Sequence, residues 1–245
     1  MKLQPILVGA AMVAFLACTG CSISPGRPGK ESEVIPPNEV TDFNLLYAQN
    51  CAGCHGADGK GGAAIAMANP VFLAIANDAA IRHTVADGVR ATAMPAFAQS
   101  AGGMLTDKQI DALVRGIRSW AKPEALNNVT PPPYSSRAPG DAQRDADAYR
   151  TYCSSCHGAD GRGGSKASSI VDGSYLALVS DQYLRTIVIA GRPELGAPDW
   201  RGDVRGRHMS AQEISDVVAW LSSHRTQFPG QPYPISADRA KGGLR

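Results

Sequence analysis

The chain has 245 residues, room for two domains of modest size, and its 44% apolar content can bury a core in each, which excludes a disordered protein. Lys and Arg number 24 against 22 Asp and Glu, a formal charge of +2, and no basic cluster stands out from the mixed background. Electrostatics therefore gives no case for nucleic acid as a partner.

The N-terminus, MKLQPILVGAAMVAFLACTGCS, places one Lys before an apolar run from Ile6 to Ala17, followed by small residues and two cysteines. That run is too short for a membrane span and suits the apolar core of a secretory signal. Its end, Gly20-Cys21-Ser22, resembles a bacterial lipoprotein signal, in which the cysteine after the cut carries lipid. Cys21 fits that role better than Cys18. Residues 1–20 are read as the signal peptide. The folded part is then expected on the periplasmic side of a bacterial membrane, held to it by lipid. Residues 21–40 are polar and rich in Pro and Gly, the composition of a flexible tether.

An internal duplication organises the rest. YAQNCAGCHGADGKGG, residues 47–62, matches YRTYCSSCHGADGRGG, residues 149–164, at an offset of 102. The match continues through DAAIRHTVADG and DQYLRTIVIAG at an offset of 103, and ends in LTDKQIDALVRGI and MSAQEISDVVAWL at 104. A drift of one residue at a time implies insertions in loops.

Phe43 and Tyr47 before the first CxxCH, and Tyr149 and Tyr152 before the second, suit short helices. Each copy closes on a stronger helix signal. Thr106 with Gln109, and Ser210 with Glu213, are capping-box pairs, while Leu105 with Ile110 and Met209 with Ile214 fit the hydrophobic staple. Ile110, Leu113, Val114 and Ile117 then recur at helical spacing, as do Ile214, Val217, Val218 and Leu221, and predict core faces. Neither copy shows the alternation of a sheet. Between the copies, three consecutive prolines at 131–133 mark a spacer that resists helix and packing. The boundaries read as domain 1 at 41–121, a Pro-rich linker at 122–146, domain 2 at 147–228 and a tail at 229–245.

Two of the six cysteines lie in the signal region and four form two CxxC pairs. In an exported chain such pairs suggest disulfides, a redox dithiol or half a zinc site. The His after each pair decides otherwise. CxxCH reads as covalent c-type haem attachment, the thiols adding to the vinyl groups and the imidazole binding iron from one side. Cys51, Cys54 and His55 serve one haem, and Cys153, Cys156 and His157 a second.

Each copy resembles a class I cytochrome c domain: an N-terminal helix, CxxCHG, a middle helix, a loop with Met-Pro, and a C-terminal helix after Leu-Thr. The resemblance implies an all-α fold, two tandem domains each wrapped around one covalently attached haem, and electron transfer as the activity. It assigns Met94, in AMPAF, as the distal ligand of the first haem, with Met104 as the fallback. It also assigns to Pro70 the carbonyl that orients the proximal imidazole, with Gly173 at about that point in the second copy.

The second copy has Ala197 where the first has Met94. Alanine cannot bind iron. The distal candidates there are Met209, which also fits the staple position, and His208; the remaining reading is a five-coordinate or water-bound haem. Trp200, aligned with Phe97, is expected to pack on the haem or the core, and His83 and His224 to lie on the surface. Asp58 and Asp160 are expected to support the turns after the haem sites.

Three functions are compatible with these features. The first is a carrier passing electrons to or from a membrane respiratory complex, whether a quinol-oxidising complex, a terminal oxidase or a dehydrogenase. The second, resting on Ala197, is a haem enzyme or gas-binding protein using an open second haem, with His208 or Glu194 as a distal acid–base group. The third is a cytochrome subunit permanently docked in a larger respiratory assembly.

Overall fold

The structure, a computed structural model, describes residues 34–202, 204 and 206–226. The signal peptide, Cys18, Cys21, most of the tether and the 229–245 tail lie outside the described residues. The chain divides into two units that meet at Glu39 and Val40. The described part of the first contains one 3-10 turn, Pro37–Glu39. The second contains both repeats.

The fold is all-α, with no strand among the described residues. The first repeat supplies α1 (Phe43–Asn50), α2 (Ala52–His55), α3 (Pro70–Ile75), α4 (Asp78–Asp87) and α5 (Asp107–Arg118). The second supplies α6 (Ala142–Tyr152), α7 (Ser154–His157), α8 (Gly173–Leu178), α9 (Asp181–Ala190) and α10 (Ala211–Ser223). Short polar side chains start these helices by taking orphan backbone N–H groups: Asp42 for α1, Asn69 for α3, Asn77 for α4, Asp172 for α8 and Ser180 for α9. Both capping boxes are present, at Thr106 with Gln109 and at Ser210 with Glu213. The predicted apolar faces of α5 and α10 are buried, and so are the staple residues Leu105 and Met209.

In each repeat the C-terminal helix packs against the helix that precedes CxxCH, α5 on α1 and α10 on α6. The aromatic filling between them differs. In the first repeat Phe43, Tyr47 and Trp120 meet edge to face, with Tyr47 and Trp120 centroids 5.0 Å apart. Gly116 makes room for this group, since a Cβ there would lie 2.0 Å from the Phe43 ring. The second repeat has Trp220 at that helix position, stacked on Tyr149 at 4.0 Å. His224 packs edge-on against Trp220 and is half-buried, so it is less a surface residue than its polar neighbours suggest; His83 is exposed beside Asp87.

An arginine ties each C-terminal helix to the middle helices. Arg118 donates to the carbonyls of Leu73 and Ala76 at the end of α3 and to Asp78 at the start of α4. In the second repeat Arg225 does the same for Leu176, Val179 and Asp181. The acceptors correspond at the repeat's offset of 103, but the arginines do not, because Arg118 sits in α5 and Arg225 two residues beyond α10.

The Pro-rich segment does not stand free as a spacer; it lies along the second repeat. Proline cannot donate a hydrogen bond, but its carbonyl still accepts one, and α9 supplies donors. Arg185 donates to the carbonyls of Pro133 (3.0 Å) and Tyr134 (3.1 Å) and to the Ser215 hydroxyl, and Gln182 also donates to the Tyr134 carbonyl. Arg82, the counterpart of Arg185, pairs instead with Asp107 and Asp111 on an exposed face.

The repeats meet along a seam between α3 and α9. The buried Asn69 side chain caps α3 with its oxygen and donates through its nitrogen to the Ala190 carbonyl of α9 (3.0 Å). Replacing Arg118 by Ala should lower the unfolding free energy by about 2 kcal/mol, the scale of a lost charged donor to carbonyl acceptors. Arg118→Lys should recover only part of it, since one ammonium cannot reproduce the planar fork. Denaturant midpoints at unchanged m-value would show both.

Candidate functional site

Both CxxCH segments adopt the same short structure. Cys51 starts the one-turn helix α2, and its carbonyl accepts from the Cys54 (3.2 Å) and His55 (3.0 Å) amides. Residues three and four apart share a helix face, so this turn presents both sulfurs and the imidazole on one side. In the second copy Cys153 accepts from Cys156 and His157 at the same distances. All four thiols are free.

The turn is closed by glycine and tyrosine. Gly56 and Gly158 have φ of 83° and 79° with extended ψ, a conformation only glycine adopts without strain. A Cβ on Gly56 would lie 1.7 Å from the Lys60 carbonyl oxygen, and one on Gly158 would lie 2.5 Å from that of Gly163. The carbonyls of these glycines accept the hydroxyls of Tyr47 and Tyr149 from the preceding helix. The Asp160 carboxylate accepts the Arg162 amide across the following turn, whereas Asp58 pairs with Lys60 at the surface.

Each imidazole is oriented by one backbone carbonyl. His55 Nδ1–H donates to Ile65 (2.8 Å) and His157 Nδ1–H to Ser168 (2.8 Å). Since a carbonyl can only accept, Nδ1 carries the proton and Nε2 keeps its lone pair, the tautomer a metal ligand needs. The expectation that Pro70 supplies this carbonyl is corrected. Pro70 is the first residue of α3, so its carbonyl points along the helix axis. Ile65 and Ser168 correspond at the offset of 103, so one contact serves both copies.

Burial lowers the His55 pKa from its usual 6.5; the Ile65 contact opposes this and the charge of Arg192 adds to it. Burial, with the neighbouring thiol of each pair second, pushes Cys51 and Cys153 up to about 11. Burial thus works against thiolate formation at these two positions, the opposite of what activates a redox cysteine.

The loops that carry Met94 and Ala197 share their closing backbone bonds, although the Met94 amide donates to the Thr92 hydroxyl and the Ala197 amide to the Arg192 carbonyl. Val89 N–H donates to the Met94 carbonyl at 3.0 Å, and Arg192 N–H to the Ala197 carbonyl at 3.0 Å. Thr92 to Val89 and Leu195 to Arg192 repeat the next contact, and Gly88 and Gly191 precede the loops at φ of 66° and 67°. Ala197 therefore occupies the place of Met94. Of the candidates named for the second distal site, Met209 is 7% exposed within the core cluster, its amide bonded to the Trp200 carbonyl as Leu105 is to Phe97, and His208 is exposed. Trp200 is buried in the core, as expected. Met104 is 84% exposed and Met94 half-buried.

The same pattern is found in known proteins. The family model of cytochrome c oxidase, cbb3-type, subunit III matches residues 38–115 and again 140–221. The chain belongs to that family. Among curated relatives, the cytochrome bc1 complex cytochrome c subunit of Mycobacterium bovis is 26% identical over 183 residues, covering 72% of this chain and 60% of its own length. The cbb3-type cytochrome c oxidase subunit FixP of Azorhizobium caulinodans is 29% identical over 145 residues, 54% of this chain and 43% of that one. The chain thus spans about three fifths of the mycobacterial relative. A solved reducing HAO-like protein complex of Kuenenia stuttgartiensis aligns with a TM-score of 0.44 and 20% identity over 79% of this chain and all of that one.

A cytochrome c of this family carries covalently bound c-type haem, and the local structure fits the group. Two thiols and an Nε2 lone pair are carried three and four residues apart on one turn, the spacing that thioether attachment and iron binding by one group require. The roles of the tyrosines, of the carbonyl partner of the imidazole and of Arg192 are not legible in the sequence as site features; of these only the tyrosines, repeated in both copies, carry a visible signal, whereas the trimmed second distal loop is read directly from Ala197. Gly56→Ala should destabilise the protein by at least about 2 kcal/mol, from the forbidden φ and the backbone clash together, and more than Gly158→Ala, whose nearest approach is longer. Parallel thermal melts of the two variants would rank them.

Proposed function

We propose that the chain is a dihaem c-type cytochrome that passes electrons in a membrane-associated respiratory chain on the periplasmic side, held there by lipid on Cys21. Haem supplies one-electron exchange between ferrous and ferric iron. Cys51 and Cys54 would hold the first by thioethers, with His55 and Met94 as its iron ligands; Cys153, Cys156 and His157 would hold the second. A thioether opposite imidazole favours the ferrous state and raises the potential. The partner is a membrane respiratory complex, a class supported by relatives named as subunits of a bc1 complex and a cbb3 oxidase.

The observation that carries the reading is the replacement of Met94 by Ala197 in a loop closed by the same hydrogen bond. Met209 packs in the core at the staple position and His208 is exposed, which supports a second iron without a protein ligand in place of Met94. Two unlike sites on one chain give an electron a preferred direction. The same feature favours a second reading, binding of a small gas at that iron. Peroxide reduction has less support, because Glu194 is engaged by Arg192 and His208 faces solvent.

A haemochrome assay should count two haems per chain. The reduced protein should bind one carbon monoxide per chain, and the oxidised protein should show the thioether-to-iron charge-transfer band of a single methionine. Ala197→Met should abolish the gas binding and double that band. A fully low-spin ferric protein that binds no carbon monoxide would contradict the open second site.

A further inference from the structure

We propose that Arg192 and Glu194, both in the second repeat, form a positioning pair for the first haem site and set the reduction potential of its haem. The inference rests on the reading of Cys51, Cys54, His55 and Met94 as that site.

Arg192 follows the C-terminal glycine of α9 and is fixed by two backbone bonds to Ala197, one in each direction, both 3.0 Å. Its side chain then leaves its own repeat. Nη2 donates to the Gly62 carbonyl (2.6 Å), Nη1 reaches the Ala63 carbonyl (3.4 Å), and Nε pairs with the Glu194 carboxylate. Gly62 and Ala63 belong to the short loop between His55 and Ile65, whose carbonyl orients the imidazole. The guanidinium thus holds, from the neighbouring repeat, the strand of backbone that aims the first axial ligand. Val89 stands in Arg192's place in the first repeat, so the first repeat returns no such contact to the second site.

The side chains of Arg192 and Glu194 are only 11% and 23% exposed, so water screens their charges weakly. The ferric state carries one more positive charge than the ferrous. A guanidinium near the first site therefore favours reduction, and the carboxylate beside it opposes that effect.

The opposite signs of the two charges give the test. The midpoint potential of the first haem would be measured by spectroelectrochemistry on the purified full-length holoprotein, following the thioether-to-iron band. Arg192→Gln should shift that potential down, Glu194→Gln should shift it up, and Arg192→Lys should fall between wild type and Arg192→Gln. A loop merely loosened by substitution would not move in opposite directions for the two variants. Shifts of the same sign, or no upward shift in Glu194→Gln, overturn the proposal. If Arg192→Gln fails to take up haem, Glu194→Gln alone decides. Failure of the underlying site reading would show separately, as a missing thioether band or a single haem in the wild-type protein.

Discussion

The bond from each histidine Nδ1–H to a loop carbonyl is the constraint on which the two sites depend. A CxxCH turn by itself leaves the imidazole free to rotate about its side-chain torsions and to carry its proton on either nitrogen. The carbonyls of Ile65 and Ser168 remove both freedoms together. For those carbonyls to arrive, the chain must double back within about ten residues of the histidine. That return depends on Gly56 and Gly158 in a conformation closed to other residues, and on a tyrosine from the preceding helix seizing the glycine carbonyl. The helices around the site act chiefly to keep this loop from relaxing.

The duplication shows which parts of that arrangement can be rebuilt with other residues. The arginine clamp on the middle helices survives although Arg118 and Arg225 are not aligned, because what matters is a planar donor reaching the same three acceptors. The aromatic wedge behind the cysteines survives although one repeat uses Phe43 and Trp120 around a glycine and the other stacks Trp220 directly on Tyr149. Volume and donor geometry are kept while sequence position is not. The distal loop is the reverse case, with its closing backbone bond kept and the Met94 side chain replaced by the methyl group of Ala197.

The same contrast explains what the sequence made legible. Capping boxes, staples and apolar helix faces involve residues within a turn or two of each other, so Thr106, Ser210, Leu105 and Met209 could be placed from local pattern alone. The cysteines and histidines were legible because their chemistry requires fixed spacing. Contacts set by the path of a loop were not. Pro70 was the expected source of the histidine's carbonyl, but it begins a helix, and only the course of residues 56–65 decides that Ile65 takes the role. Arg192 was invisible for a stronger reason: its acceptors lie about 130 residues away, and nothing in the residues around it marks them. The prolines of the linker likewise suggest a spacer because their missing donors are evident, whereas the donors that hold their carbonyls belong to α9.

The seam between the repeats has a consequence for how the chain behaves as one object. The side-chain bonds across it, from Asn69 and from Arg192, are too few for two separate molecules to overcome the loss of translational freedom on association. Joined by a linker that is itself laid down along the second repeat, the same few bonds act at high effective concentration and close without partners having to meet. Covalent continuity therefore does part of the work that a larger interface does in an oligomer. The seam can remain small, and small sequence changes along it can adjust how one half influences the other without dissolving the pair.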